Sequence, residues 1–249
     1  MPGGGITAAG HPVVSTLRFM RRSLALAGAL SLLLAVSAGC TDWGADDPAG
    51  ADSTALPEAA ELLTGAATEL GTVKTARFAI ATEGAAESLG ISAAEGVITA
   101  TGEAQGTARI EQGGLPLELS FVVKDETLHV NGLTGGWQRL PLATAAAIYD
   151  PTAILSPDRG VANLVGRATG TTTGREEVDG VDTYRIEGTL PGTALGNLVP
   201  GVSADVTGTL WIGADRRLLH RARFPVPGQT GTVTVTFSEY DAPVTIRVP

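Results

Sequence analysis

The chain has 249 residues, a formal net charge of −9, 43% hydrophobic and 4% aromatic residues, and a single cysteine. The acidic balance argues against a nucleic-acid binder and against capture of anionic head groups by charge. One cysteine excludes an internal disulfide, and the length allows one sizeable domain with a single core.

Arg21 and Arg22 precede an apolar run from Leu24 to Gly39, whose last residues, Ser37, Ala38 and Gly39, are small and lead into Cys40. A basic start, a greasy middle and a small-residue end make a secretory signal. The run is short for a membrane span, which needs about 20 residues. Ser37-Ala38-Gly39-Cys40 resembles a bacterial lipobox, with Ser37 where such motifs usually carry leucine. That resemblance implies removal of residues 1–39 and lipidation of Cys40 as the new N-terminus. Each buried methylene of an acyl chain contributes about 0.8 kcal/mol, so two or more long chains anchor stably. The alternative is a leftover thiol beside an ordinary cleavage site, a liability in an oxidising compartment. Met20 is a natural start, which makes 1–19 an upstream extension. Arg21-Arg22 leaves twin-arginine export open beside the general route.

From Cys40 to Ala55 the residues, Trp43 apart, are small or polar and cannot bury enough apolar surface to order themselves, so 40–55 reads as a flexible tether. The folded domain then spans 56–249. It opens with a helix over 57–74: Pro57 suits the first turn, and Glu58 and Glu61 favour the positive end of the dipole. Ala59, Leu62, Leu63, Ala66, Ala67, Leu70 and Val73 form one apolar stripe.

After this helix the period changes to two. Gly113-Gly114, Asp125-Glu126 and Asp179-Gly180 each separate two strand-like runs. Two-residue turns would set Ala108 opposite Leu119, Ile110 opposite Leu117, Val123 opposite Leu128 and Phe121 opposite Val130. Partners across a ladder share a face. One face then carries Ala108, Ile110, Leu115, Leu117, Leu119, Phe121, Val123, Leu128 and Val130. The other, wet face carries Arg109, Glu111, Glu118, Ser120, Lys124 and His129.

Further on, Tyr184, Ile186 and Leu190 alternate with Thr183, Arg185 and Glu187, and Val206, Leu210 and Ile212 with Asp205, Thr207 and Thr209. His220, Ala222 and Phe224 alternate with Arg221 and Arg223, and Val233, Val235 and Phe237 with threonines. Between the halves, 143–168 loses the alternation, and Pro151 and Pro157 punctuate two short helices over 151–155 and 158–168. The expected fold class is α+β: a large antiparallel sheet whose oily face is covered by helices.

Catalytic signals are sparse. The chain has no G-x-S-x-G elbow, phosphate loop or H-E-x-x-H. His11 precedes the mature protein, His129 falls on the wet face and His220 lies among arginines. Asp46-Asp47 lacks the turn and closing glutamate of a calcium loop. Nothing in the residues asks for a cofactor or a metal.

The runs Ser120–Val130, Ile148–Leu164 and Gly174–Tyr184, in that order and spacing, resemble the LppX/LprA/LprF/LprG family of mycobacterial lipoproteins, its LprG branch most closely, over about 56–246. The resemblance implies a half-barrel: a curved antiparallel sheet whose concave side, capped by helices, encloses a hydrophobic cavity. It implies binding of multi-acylated lipids such as triacylglycerols, phosphatidylinositol mannosides and lipoarabinomannan precursors. It also implies their movement between inner membrane and outer envelope, and cooperation with a membrane exporter of the major facilitator type. In the family, the position matching Ala108 lies near the cavity mouth. The expected lining is then Ala108, Ile110, Leu117, Leu119, Phe121, Val123, Leu128, Val130, Tyr184, Ile186, Val206 and Leu210, with Cys40 holding the protein at the outer face of the cell membrane. Scarce lysine beside abundant arginine and alanine suits a GC-rich actinobacterial genome.

The residues alone leave two packings open. An oily face with few aromatics leaves unfilled volume, or it packs solidly like most interiors. A solid core would make the domain a membrane-tethered interaction module. A lipid-modifying enzyme is the third reading, and it would need a nucleophile beside a base.

Overall fold

The computed structural model describes residues 55–84, 91–112, 115–132, 135–146, 151–199, 202–228 and 230–249. Cys40, the leader, Tyr149-Asp150 and the Gly113-Gly114 turn lie outside them, as does all of the tether but Ala55. Helix α1 (Ala59–Leu70) comes first, shorter at both ends than the expected 57–74. Glu58 is extended and caps without a side-chain bond, while the Gly71 N–H returns to the Ala67 carbonyl. Beyond it, the Lys74 N–H goes to Asp241 at 2.8 Å, which turns the chain into the sheet.

Eleven strands follow: β1 (Thr75–Glu83), β2 (Ile91–Thr99), β3 (Ala104–Gln112), β4 (Leu115–Lys124), β5 (Thr127–Asn131), β6 (Gln138–Pro141), β7 (Thr169–Val178), β8 (Val181–Leu190), β9 (Val206–Gly213), β10 (Leu219–Pro225) and β11 (Thr232–Ser238). They form one antiparallel sheet in the order β6-β5-β4-β3-β2-β1-β11-β10-β9-β8-β7. The sheet curves but does not close, so β6 and β7 are its edges.

The register is the one the turns dictate. Gln112 faces Leu115, Ile110 faces Leu117 and Ala108 faces Leu119, and Phe121 faces Val130 and Val123 faces Leu128. Asp125 and Glu126 both have positive φ, 50° and 56°, as a two-residue hairpin turn requires. Gly96 and Gly106 are partners on β2 and β3, where a Cβ on Gly96 would lie 2.9 Å from the Gly106 Cα. Gly170 and Gly188 repeat this on β7 and β8, again at 2.9 Å. No side chain fits at such crossings, and paired glycines are where a sheet coils sharply.

The helices cover only part of the oily face. Helix α1 packs on β7, β9 and α3 (Val161–Arg167), and α3 packs on β8 and on α4 (Gly192–Leu195). The short α2 (Leu142–Ala146) lies against β5 and β6. Among the described residues none of them covers β1 to β4 comparably. The two middle helices are also shorter than expected: 151–153 is one 3-10 turn and α3 begins at Val161, because Ser156 to Gly160 form turns.

Two expected faces differ from the structure. His220 does not share a face with Ala222, because a bulge between Leu219 and Arg221 sets buried Leu219 opposite Ile212. His129 is on the outer face, opposite Val122, but both are buried rather than wet. Lys124, on that same face, donates to the Ile246 carbonyl at 3.1 Å, and Ile246 is itself buried. The C-terminal stretch therefore lies over this face, a long-range contact that alternation cannot report.

Candidate functional site

The inner, apolar face runs from a closed end to an open one, and β4 shows the gradient best. Val123 is 3% exposed at one end and Leu115 is 72% exposed at the other. Leu117, Leu119 and Phe121, between them on the same face, are half-buried. The neighbours follow: Ala104 is 1% exposed, while Ala108 and Ile110 are half-buried. On β2, Ile98 is fully buried, Ala94 is half-buried and Ile91 is 36% exposed. Ile80 on β1 and Val235 on β11 extend the half-buried strip.

The ends differ for a structural reason. At the closed end the 151–155 turn brings buried Ala153, Ile154 and Leu155 over the sheet, with the Thr152 side chain pressed against Gly102. At the open end, β8 and β9 are capped by α4, whose Gly192 N–H is held by Asp205 at 2.9 Å. The same end of β2, β3 and β4 has no such cap among the described residues. The centre of the strip is lined by the small residues Ala94, Gly96, Gly106 and Ala108. Ala108 sits between Ala94 on β2 and Leu119 on β4.

The expected lining residues fall into two groups. Ala108, Ile110, Leu117, Leu119, Phe121, Val123 and Leu128 come together on this strip, with buried Val130 beside Phe121. Ile186, Val206 and Leu210 share the inner face but lie in the close-packed half with α1, α3 and α4, and half-buried Tyr184 borders them. Ile80, Ile91, Ala94, Ile98 and Val235 were not on the expected list. Phe78 and Ile80 alternate visibly in Arg77-Phe78-Ala79-Ile80, but Ser92 forms a bulge that breaks the alternation after Ile91.

No charged residue occurs among the inner positions of β2, β3 and β4. Their charges lie outside, where Arg109 pairs with Glu118 at 3.3 Å and Lys124 with Glu103 at 3.5 Å. Such a surface can hold an apolar chain by burial alone. A separate hollow of about 290 Å³ lies at the closed end, beside Asp215, Arg216, His220, Glu239 and Tyr240. Burial holds the His220 imidazole below its ordinary value, partly offset by Asp179. The Asp241 carboxyl is held below its ordinary value by the Lys74 N–H and by Arg216. These groups join strand ends. Among the described residues no three histidine, cysteine or acidic side chains gather where a metal could sit.

A sequence profile of the LppX_LprAFG lipoproteins matches residues 58–246. The lipoarabinomannan carrier protein LprG of Mycolicibacterium smegmatis is 31% identical over 88% of this chain and 93% of its own length. The LprG protein of Mycobacterium tuberculosis H37Rv is 29% identical over 92% of this chain and 95% of its own. Among solved structures, LprF of Mycobacterium bovis superposes with a TM-score of 0.69 at 24% identity, covering 77% of this chain and 96% of that one. LppX of M. tuberculosis gives 0.57 at 23% identity, over 76% and 98%.

Proposed function

The chain belongs to the LppX/LprAFG lipoprotein family, and from that premise we propose that it carries multi-acylated lipid on the open strip of β1 to β5. Family membership also gives a membrane-anchored place in the cell envelope. The observation that carries the reading is the uncharged gradient along β4, from exposed Leu115 to buried Val123. An acyl chain laid along it exchanges water for apolar contact at about 25 cal/mol per Å², with no directional bond to satisfy. Chains of different length and branching are then held alike, and the polar head group stays outside the open end.

The carrier names of the relatives support lipoarabinomannan-type cargo. We extend the cargo class to phosphatidylinositol mannosides and triacylglycerols, which share several long chains. In this reading Cys40 anchors the protein at the outer face of the cytoplasmic membrane and residues 40–55 give it reach. A major facilitator exporter receives or supplies the cargo. No bond is made or broken, so the protein acts as a carrier and not as an enzyme.

Native mass spectrometry of the protein purified from an actinobacterial host tests this. The expected result is bound mass matching lipids with two or more acyl chains. Protein that emerges empty and takes up no added glycolipid would overturn the reading in favour of a tethered interaction module.

A further inference from the structure

The open end of the strip is more than an opening. Ile91 pairs with Ile110 on the adjacent strand, Ile110 with Leu117, and Leu115 closes the row opposite Gln112. Four large aliphatic residues on three strands thus form one continuous apolar lip, with Leu115 and Ile91 among the exposed large hydrophobics of the molecule. A lone exposed leucine is ordinary, but a contiguous exposed apolar patch marks a contact surface. The lip also projects beyond β5. Pairing of β4 with β5 stops at Ser120 and Asn131, so β4 runs five residues further to Leu115, about 16 Å at 3.3 Å per residue. Arg109, Glu111 and Glu118 alternate with these residues and lie on the opposite face. The hairpin end is therefore amphipathic across its thickness, oily inside and charged outside.

We propose that this lip is a bilayer contact: the end of the β3–β4 hairpin, with Ile91, enters the acyl region of the leaflet that holds the protein, so that lipid passes onto the strip without crossing water. The inference rests on the carrier reading. Three features select a membrane over a protein partner. The lip is continuous with the surface proposed to take acyl chains. Its inner side carries no charge and little hydrogen-bonding capacity with which to specify a protein. The chain outside the described residues supplies the leash: from Cys40 to Ala55 it spans up to about 50 Å when extended, enough to let the lip face the leaflet. The contact is apolar, so it depends on area buried and not on anionic lipid or salt.

The test uses the full chain, anchored in phosphatidylcholine vesicles. Leu115→Cys carries an environment-sensitive dye, and Asp215→Cys, exposed in the β9–β10 turn at the opposite end, serves as the control. The unsubstituted chain sets the background from Cys40. Lipids brominated in the acyl chain are expected to quench the dye at 115 and leave that at 215 unchanged, at low and at high salt. In the same vesicles, Leu115→Asp combined with Ile91→Asp is expected to slow pickup of a fluorescent diacyl glycolipid about tenfold or more. Uptake from detergent solution should fall far less, so the ratio of the two rates reads the lip contact, and an equal fall in both would overturn it. No quenching at 115, equal quenching at both positions, or normal pickup by the double variant would overturn the lip contact while leaving carriage intact. Failure of the unsubstituted chain to take up lipid even from detergent would instead sink the carrier reading, and the lip with it.

Discussion

Ala108→Trp separates an open strip from a solid core more sharply than any other single change. Ala108 is half-buried between Ala94 and Leu119, with Gly106 two residues along. A tryptophan there takes up about 150–250 Å² of contact surface. At about 25 cal/mol per Å² this is roughly 4–6 kcal/mol of burial denied to an acyl chain. A flexible chain recovers part of it by shifting along β4, so a net loss of about 3 kcal/mol is expected, on the order of a hundredfold in affinity. Folding should not suffer, because the indole enters space that lipid otherwise fills. In a solid core the same change overpacks, costs about 1–3 kcal/mol and lowers the melting temperature by about 2–4 °C per kcal/mol in a domain of this size. Equilibrium titration with a fluorescent diacyl glycolipid, beside a thermal melt, reads both quantities. Unchanged affinity with a lowered melting temperature would refute the open strip.

Three further changes probe the scaffold. Glu126 holds a positive φ of 56° without being glycine, so Glu126→Gly should stabilise the domain by about 1 kcal/mol in denaturant unfolding. Ile246→Ala removes a buried side chain from the outer face. It should cost about 2 kcal/mol or more by thermal melt while lipid loading by native mass spectrometry stays constant. His220 has its folded value below the ordinary 6.5, so the unfolded chain binds the extra proton. Its contribution is full above about pH 6.5 and declines as pH falls through the folded value. His220→Gln should flatten that slope in melts taken between about pH 7.5 and 5.

The sheet was legible where chemistry is local. Asp125-Glu126 and Asp179-Gly180 announce two-residue turns, and alternation from Ala108 to Val130 then leaves one register. The same local signals fail where one extra residue enters. His220 sits at a bulge that takes it off the expected face of Ala222, and a second bulge at Ser92 breaks the alternation of β2. Long-range covering is invisible as well. His129 reads as solvated because its neighbours are charged, yet it is buried on the face crossed by the C-terminal stretch, with its Nδ1 unpaired. Of the candidate site, sequence supplied the face but not the division along it. Ile186 and Ile110 look alike in an alternating strand, and only the placement of α1, α3 and α4 makes the first buried and the second accessible.

That division has an energetic logic. An apolar strip left accessible to water forgoes burial that would otherwise stabilise the fold, and an eleven-stranded sheet with one accessible half would be marginal on its own. The close-packed half supplies the deficit. Leu62, Leu63 and Leu70 of α1, Val161, Leu164 and Val165 of α3, and Ile186, Leu190, Leu210 and Ile212 of the sheet form one buried cluster. That cluster extends along β1 and β11 through Phe78 and Phe237 to Ile98, Ala104 and Val123 at the closed end. The open half is thus built as an extension of a folded one, held at its closed end and at the β1–β11 seam and left accessible at the lip. Cargo then completes the missing burial, and its binding adds stability as RT ln(1 + [L]/Kd), about 2.7 kcal/mol at a hundredfold excess over Kd. A carrier needs this balance: it must stay folded after release, and cargo must gain from occupying it.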